Sequence, residues 1–570
     1  MKFSVKERQQ QLTEQFPVWN PRTLDQMLDH ATEQFPDRPY IVTSRRSFTY
    51  REIQEWSRRV AVGLVNLGVG PGDHVAVVMA NFPEFVALKF AISRLGATSV
   101  PINFQNRRDE LGFAVRQSDS VVLVTMDEFR GFDYLTALDE LMPGWEKGAG
   151  GTNFPLLRHV VVFSTSGRAT RPHAHSFEEM TSTDETQVPA IAKDPDSVSD
   201  IIYTSGTTGN PKGVLLTHEM VLRTAFASAY SRAFGDGHRV VFSLPLYHVY
   251  GYVEGLLTVL FVGGSNVILQ AFDPRALLKA VEKHEADDAL LVPTMTLDLL
   301  DVLERESFDL TSLKWLISSG GVSPATIWPR IMELFAPEEL TTGYGMTETS
   351  GTTTLTRPDD PYECLLSTNG RFRDAGVAGD PELGGRLVVY KTVDIVTGRD
   401  QLRGEVGELC ARGPGVTKGY YKRPEATAAA IDDDGWFHSG DLGFVDADDY
   451  LHLVGRVKDC YRCGAEQVVP KEVEDVLLEH PSVKQALVVP VRDERMGEVG
   501  VAWVVAKDDT SVDGQELIDF CSRRLARFKV PKYVLPIDAA SIPTTAVGRP
   551  RKFLLVEMAN KVLFGETQGR

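Results

Sequence analysis

Short apolar runs alternate with helical segments from about Pro39 onward. The runs YIVT, VAVVMA, TSVPIN and SVVLVTM are rich in β-branched residues, and segments with a helical period separate them. Continuous apolar runs of this kind are typical of parallel strands that are covered on both faces. The pattern therefore predicts an α/β fold with sheets rich in parallel strands.

One helix is well defined by its own pattern. Thr49 and Glu52 have the spacing of a capping box, in which each side chain accepts a hydrogen bond from the other residue's backbone. The larger apolar side chains that follow recur on one helical face: Ile53, Trp56, Val60 and Leu64. We expect this face to pack on the sheet.

The pattern changes near Gly455. The segments DDDGWFHSGDLG and DADDYLHLVG are typical of an acidic turn and a hairpin, and a helix, a strand, a helix and a basic tail follow them. Such a change after a polar turn favours a domain boundary. We predict a large domain over residues 1–456 and a small domain over residues 457–570.

Acidic residues outnumber basic ones, with 78 Asp and Glu against 60 Lys and Arg and a formal net charge of -18. A surface of this sign repels polyanions, so nucleic acid is not an expected partner. The N-terminal residues lack the apolar core of a signal peptide, and the most apolar later stretch, LLTVLFVGG, is short. These features predict a cytoplasmic protein without integral membrane association.

The five cysteines are scattered along the chain. Cys460 and Cys463 form an isolated CxxC, with no second pair or histidine cluster at zinc spacing. We predict reduced thiols here.

The segment YTSGTTGNPKGV, residues 203–214, carries the clearest chemistry. Glycines let backbone N–H groups approach an anion, while hydroxyl groups and an ammonium group add further donors. The segment is not a Walker A loop, because Gly213 follows Lys212 where that loop needs Ser or Thr. A flexible turn is the alternative to a site for the phosphates of ATP. The predicted phosphate-binding residues are Thr204, Ser205, Gly206, Thr207, Thr208 and Lys212.

Eight segments together resemble the acyl-adenylate-forming superfamily of acyl-CoA synthetases, luciferase-like enzymes and peptide-synthetase adenylation domains. In chain order they are YTSGTTGNPKGV, LPLYH, SSGG, TTGYGMTET, GELCARGPGVTKGYY, HSGDLG, GRVKD and GAEQVVPKEVE. The similarity extends over nearly the whole chain. It implies a large N-terminal domain made of several subdomains, a small mobile α+β C-terminal domain, and the use of ATP, Mg2+ and coenzyme A.

The resemblance also implies roles for residues at matching motif positions. Tyr344 would stack on adenine, Thr347 would bind the α-phosphate and Glu348 would hold Mg2+. Asp441 of HSGDLG would bind the ribose diol, and Arg456 of GRVKD would support the sugar or its phosphate.

Two further motifs have an ordinary structural alternative. Gly320 and Gly321 of SSGG would let adenine lie against the backbone, although a glycine pair is also common in turns. His248 of LPLYH would orient the acid or control entry of the thiol, and a hydrogen-bonded structural histidine is the alternative.

In this family the C-terminal domain rotates between two half-reactions, and Lys458 matches the hinge position. A lysine in a TGK-like loop contacts the carboxylate and phosphate. The corresponding loop here is PTTAVGRPRKF, with Arg549 at the lysine position and Lys552 three residues on. Because guanidinium and ammonium groups differ in shape, direct action of Arg549, substitution by Lys552 and slow adenylation all remain open.

Basic residues in the C-terminal segment would either receive the phosphates of coenzyme A or form a solvated face. They are Arg523, Arg524, Arg527, Lys529 and Lys532.

The predicted activity is ATP-dependent ligation of a carboxylic acid to coenzyme A through an acyl-AMP. The aromatic residues Tyr247, Tyr250 and Tyr252 suggest a partly apolar pocket with a few hydroxyl groups. A medium-chain, alicyclic or aromatic acid fits such a pocket better than acetate. The alternatives are a ligase that loads the phosphopantetheine of an acyl carrier protein, a catalytically weakened nucleotide-binding homologue, and a luciferase-like oxygenase.

Overall fold

The computed structural model describes residues 4–147, 150–167, 171–204, 211–321, 327–464, 466–507, 510–544 and 550–565. The chain divides into two compact units. The first contains Met1–Val389 and Arg412–Gly435, and the second contains Tyr390–Ala411 and Trp436–Arg570. The boundary between residues 456 and 457 stays a prediction.

The first unit contains a seven-stranded sheet, counted over the described residues, in which most neighbouring strands are parallel. Its order is Lys212–Thr217, Val198–Thr204, Thr98–Pro101, His74–Val78, Val122–Met126, His159–Phe163 and His175–Ser176. Lys212–Thr217 alone runs antiparallel to its neighbour among the described pairs. Three of the predicted strands lie in this sheet.

A second seven-stranded sheet, again within the described ranges, contains the fourth predicted strand, YIVT. Its order is Glu339–Thr341, Trp315–Ser318, Asp288–Leu291, Arg239–Phe242, Ser265–Ile268, Pro39–Val42 and Ser47–Thr49. These strands are parallel except for the last, antiparallel pair. The α/β prediction is confirmed, and the structure shows that its four strands are shared between two sheets.

The unit also has a small antiparallel sheet of Gly343–Met346, Gly351–Leu355 and Arg371–Phe372, and short pairings between Glu128–Phe129 and Phe132–Asp133. Its longer helices are Val5–Gln15, Leu24–Gln34, Tyr50–Asn66, Pro83–Arg94, Arg108–Gln117, Tyr134–Leu141, Phe177–Thr181, His218–Ser231, Pro274–His284, Pro293–Leu303, Ile327–Leu334, Tyr362–Ser367 and Pro424–Ala430.

The capping box predicted for Tyr50–Asn66 is present. Thr49 Oγ1 accepts from the Glu52 backbone at 3.2 Å, and Glu52 Oε2 accepts from the Thr49 backbone at 2.7 Å. The predicted apolar face is largely buried, but Trp56 is half-buried and stacks on Phe48 instead.

We expected this helix to pack directly on the sheet, but its main partner is another helix. Tyr50–Asn66 packs chiefly against helix Pro83–Arg94 and only lightly against the hairpin strands Pro39–Val42 and Ser47–Thr49. Pro83–Arg94 is buried along most of its length and contacts the sheet strand Thr98–Pro101, so it occupies that position.

The second unit contains two sheets in the described part of the chain. One has the order Val389–Val393, Gly407–Arg412, Phe437–Val445 and Leu451–Arg456. The other has Glu466–Val468, Tyr461–Cys463, Gly497–Ala506 and Val483–Asp493, with Tyr533–Pro536 parallel to Gly497–Ala506. Its helices are Pro470–Leu478, Gly514–Ser522 and Lys552–Phe564.

The core of the second unit is built from valines of the two long strands and from the last helix. Val488 and Val501 are fully buried, and Trp503 donates its indole N–H to the Leu555 carbonyl at 3.2 Å. This bond satisfies the one polar group of a large buried side chain. Across both units, the described helices are all too short or too polar to cross a bilayer.

Candidate active site

The predicted phosphate loop begins and ends on two adjacent strands. Thr204 is the last residue of Val198–Thr204, Lys212 is the first of Lys212–Thr217, and the two residues are opposite each other in the antiparallel pair. Ser205, Gly206, Thr207 and Thr208 lie outside the described residues. The ladder therefore fixes both ends of the loop at one edge of the sheet.

The end of the motif GELCARGPGVTKGYY lies along the second of these strands. Leu215 donates its backbone N–H to the Gly419 carbonyl at 3.1 Å, and Tyr421 donates to the Gly213 carbonyl at 2.8 Å. The Lys212 ammonium nitrogen is 4.6 Å from the centre of the Tyr420 ring, within cation–π range. Two motifs that are far apart in the sequence are thus brought into contact.

Tyr420 also contacts the carboxylate predicted for Mg2+. Its hydroxyl donates to Glu348 Oε1 at 3.0 Å. Burial, and then the Glu348 carboxylate, raise the pKa of Tyr420 above its usual value, so the phenol stays a neutral donor. Lys212, Tyr420 and Glu348 form one cluster in the first unit. Tyr420 was not among the predicted site residues, although its place in the motif GELCARGPGVTKGYY was a usable signal.

Thr347 and Glu348 lie in a short 3-10 turn, Thr347–Thr349, between two strands of the small sheet. The Glu348 carbonyl accepts from the Thr417 backbone at 2.7 Å, and Thr347 is buried. The backbone of this turn is therefore fixed to the segment that carries Tyr420.

Tyr344 is nearly buried between two glycines that have no room for a side chain. A Cβ atom at Gly343 would lie 2.2 Å from the Thr354 carbonyl oxygen, and one at Gly345 would lie 2.0 Å from the Gly351 carbonyl oxygen. The glycines of TTGYGMTET are thus required by the close approach of strand Gly351–Leu355.

The SSGG segment is attached to the strand Gly343–Met346, which carries Tyr344. Ser319 donates its hydroxyl to the Gly343 carbonyl at 2.6 Å. Gly320 has a φ of +87°, in the left-handed region that favours glycine, and Gly321 lies beside Pro293. The structure therefore places the SSGG and TTGYG motifs next to each other.

His248 is half-buried and begins the short helix Val249–Gly251. Its Nδ1 accepts a hydrogen bond from the Tyr250 backbone at 3.2 Å, which favours the tautomer with the proton on Nε2.

Two of the three tyrosines that suggested the partly apolar pocket use their hydroxyl groups in contacts within the protein. Tyr250 donates to the Leu291 carbonyl at 3.0 Å, and Tyr252 donates to Asp200 at 3.3 Å within the core. Both hydroxyls therefore form hydrogen bonds within the protein, as buried hydroxyl groups usually do.

A buried ion pair behind the small sheet was not foreseen. Glu254, in the π-helical segment Tyr252–Leu257, accepts from Arg373 Nη2 at 2.6 Å and from the Thr352 backbone at 2.8 Å. The pair thus fixes the strand whose carbonyls approach Gly343 and Gly345. Its members are 119 positions apart in the sequence, so no local signal could have found them.

In the second unit, Asp441 and Arg456 face each other across a hairpin. Arg456 Nε donates to Asp441 Oδ1 at 2.8 Å, and Asp441 is almost fully buried. The predicted pair is therefore in contact, with the arginine orienting the carboxylate.

Lys552 is held within the second unit by two carboxylates. Its Nζ is 2.7 Å from Glu474 Oε1 and 4.0 Å from Asp459 Oδ2. Lys458 is exposed in the 3-10 turn Val457–Asp459. Arg549 lies outside the described residues.

Three of the five residues in the predicted basic cluster form ion pairs with carboxylates. Arg524 lies 3.6 Å from Glu479, Lys532 lies 2.6 Å from Asp493, and Lys529 pairs with Glu472. Arg523 and Arg527 are exposed beside them.

The two sheet-rich units and the motif residues that they carry define an adenylate-forming enzyme. Residues 28–421 match the family model described as AMP-binding enzyme, and residues 472–549 match that of the AMP-binding enzyme C-terminal domain. The chain belongs to this family.

The chain is similar to known proteins over almost its full length. A 7a-methyl-1,5-dioxo-octahydro-1H-inden-4-yl propanoyl:CoA ligase of Mycobacterium tuberculosis is 34% identical, covering 94% of this chain and 99% of the relative. Feruloyl-CoA synthase of an Amycolatopsis species is 34% identical, covering 88% and 92%. ATP-bound MatB from Rhodopseudomonas palustris has a TM-score of 0.81 at 26% identity, covering 94% and 99%.

The chain is accordingly an AMP-forming acid–thiol ligase that joins a carboxylic acid to coenzyme A and uses ATP and Mg2+. The expected enzyme class, family and cofactors are confirmed. The relatives give no support to an acyl carrier protein as a partner.

Proposed function

We propose that the acid is larger and more apolar than acetate, and is alicyclic, aromatic or medium-chain. Two relatives are named for an alicyclic and an aromatic acid, and a third is named a medium-chain acyl-CoA ligase. In this chain, Tyr247 precedes His248 and is the first of three aromatic rings in contact. Tyr247 packs edge-on against Phe104 at 5.5 Å, and Phe104 packs against Phe129 at 5.4 Å. Rings next to the proposed acid-orienting histidine favour an apolar acyl group.

The observation that carries the proposed nucleotide roles is the Lys212–Tyr420–Glu348 cluster. Lys212 supplies positive charge at the base of the phosphate loop, and Tyr420 links it to Glu348. The Glu348 carboxylate is a hard oxygen donor of the kind that Mg2+ prefers, so it fits the ion, and the Thr347 hydroxyl beside it binds the α-phosphate. Bound Mg2+ would neutralise charge on the phosphates.

The remaining nucleotide roles are assigned within each unit. In the first unit, Tyr344 stacks on adenine, whose edge lies along the backbone of Gly320 and Gly321. In the second unit, Asp441, oriented by Arg456 at 2.8 Å, binds the ribose hydroxyls. The phosphates of coenzyme A are received by Arg523 and Arg527.

The first half-reaction forms a bond between a carboxylate oxygen and the α-phosphorus of ATP, and breaks the bond from that phosphorus to the β-phosphate. Pyrophosphate leaves with the electron pair. His248, with Nδ1 fixed as an acceptor, presents its Nε2 side to the acid. Arg549 places its guanidinium against the developing negative charge. Lys552 is assigned an anchoring role because Glu474 and Asp459 already hold its ammonium group.

In the second half-reaction, the sulfur of coenzyme A attacks the acyl carbon, and the bond to AMP breaks as the thiol loses its proton. Lys458 acts as the hinge between the two half-reactions. Its exposed position in a short turn is suited to a change in backbone angles.

The test is ATP–pyrophosphate exchange with a panel of alicyclic, aromatic, short- and medium-chain acids, repeated with coenzyme A to detect the thioester. We expect exchange and thioester with one of the larger classes and little with acetate. A preference for acetate would contradict the proposed acid class. Exchange with transfer only to an acyl carrier protein would favour the carrier-loading alternative, and bound ATP without any exchange would favour the weakened homologue.

A further inference from the structure

Three side chains with different metal-binding groups meet on one face of the second unit's first sheet. Glu408 and Cys410 are two positions apart on strand Gly407–Arg412, and their donor atoms lie within 4.8 Å of each other although the strand pairing is irregular between them. His438, on the neighbouring strand Phe437–Val445, is the direct cross-strand partner of Cys410. The strand pairing therefore places all three side chains together.

The donor atoms of these residues have the separations of a metal-binding set. Glu408 Oε2 is 2.9 Å from His438 Nδ1, and Cys410 Sγ is 3.5 Å from the same nitrogen. All three donor atoms lie within 4.8 Å of one another. Ligands around tetrahedral zinc are about 3.4 Å apart for oxygen and nitrogen and about 3.6 Å for sulfur and nitrogen. Small side-chain shifts would thus convert the present contacts into coordination.

We propose that Glu408, Cys410 and His438 bind one thiophilic divalent cation of the Zn2+ class. A thiolate and an imidazole select such an ion over Mg2+, which prefers oxygen ligands. The side chains of His438 and Glu408 are 31% and 19% exposed, so an ion can reach the set from solvent, while Cys410 is buried behind them. Water completes the fourth position. Binding removes the thiol proton, so the apparent affinity increases with pH.

The site is connected to the turn that carries Asp441. The second oxygen of Glu408 accepts a hydrogen bond from the Gly440 backbone at 2.9 Å, and Gly440 has a φ of +70°. A metal ion that enters between Glu408 Oε2 and His438 would shift the carboxylate, so we infer that the bond to Gly440 weakens and the residue next to Asp441 moves. We therefore expect Zn2+ to weaken the use of ATP, a step that rests on the proposed role of Asp441.

Cobalt titration of the reduced, metal-free full-length protein tests the site without any substrate. We expect one equivalent of Co2+ to give a thiolate-to-cobalt charge-transfer band that Zn2+ abolishes. Cys410→Ser should remove the band, and His438→Gln should weaken binding at least about tenfold. The double variant Cys460→Ser/Cys463→Ser, which removes the CxxC thiols, should keep it. Absence of the band, or its loss only in the double variant, would overturn the proposed site.

Two further measurements test the metal site and its expected effect on ATP use separately. Zn2+ should protect Cys410 of the unsubstituted protein from alkylation, measured by peptide mass spectrometry, which avoids any folding defect of a variant. Zn2+ should also raise the KM for ATP severalfold in the unsubstituted enzyme but not in Cys410→Ser. An unchanged KM with a normal cobalt band would refute the link to Asp441 and leave the metal site supported.

Discussion

Lys552 and Glu474 form an ion pair inside the C-terminal unit, with Nζ 2.7 Å from Oε1. The same carboxylate oxygen accepts from the Val488 backbone at 2.8 Å, so the pair is tied to the long strand Val483–Asp493. Earlier in the chain than Lys552, Thr544 and Pro550 form an antiparallel bridge. The proposal that Lys552 serves stability while Arg549 acts in adenylation rests on this ion pair.

Arg549→Ala should reduce ATP–pyrophosphate exchange by about 100-fold or more, because loss of a group that stabilises transition-state charge typically costs this much. Lys552→Ala should mainly lower the melting temperature, since it leaves Glu474 without its partner. Exchange and thermal unfolding of both variants check this. Lys471→Ala, which removes a surface pair with Asp475, is the control. Loss of exchange in Lys552→Ala with normal stability would show that Lys552 is the catalytic cation instead.

Tyr420→Phe should raise the Mg2+ concentration needed for half-maximal exchange by about 10- to 100-fold, as expected for loss of a hydrogen bond to a charged group. Tyr421→Phe is a matched control, because the Tyr421 hydroxyl donates to Asp119 at 2.9 Å and not to Glu348. Titration of exchange with Mg2+ gives the comparison. Equal shifts in the two variants would argue against a specific role of the contact between Tyr420 and Glu348.

Gly345→Ala should lower the free energy of unfolding by about 1–3 kcal/mol, the usual effect of overpacking. The new methyl group would meet the Gly351 carbonyl at 2.0 Å and push the small sheet apart beside Tyr344. We also expect a higher KM for ATP. Gly70→Ala is the control, because no atom lies within 4 Å of its added Cβ. Denaturant unfolding and exchange kinetics measure both effects, and an unchanged KM for ATP in a destabilised variant would separate Tyr344 from adenine binding.

Lys458→Pro should leave pyrophosphate exchange nearly intact while abolishing thioester formation. Proline fixes φ and so hinders rotation about the proposed hinge, whereas the first half-reaction precedes that rotation. Lys458→Ala, which removes the charge but keeps backbone freedom, should retain both half-reactions. If the proline variant loses both equally, Lys458 is not the hinge.

Much of the local structure could be predicted from the order of residues alone. The apolar runs gave the strands, and the Thr49–Glu52 spacing gave the start of a helix, because both signals depend on neighbours within a few positions. The ordered motifs also led to the correct family and enzyme class. The local pattern could not show that the strand Pro39–Val42 belongs to a different sheet from His74–Val78, since both have the same apolar character.

The sequence by itself therefore determined the fold class, the family and the motifs that supply the site. Tertiary structure alone decided which side chains meet: Tyr420 with Glu348 across 72 positions, Lys552 with Glu474 across 78, and Arg373 with Glu254 across 119. The physical reason is that strand and helix signals are local, whereas a hydrogen bond or an ion pair depends on where distant segments come together once the cores are packed.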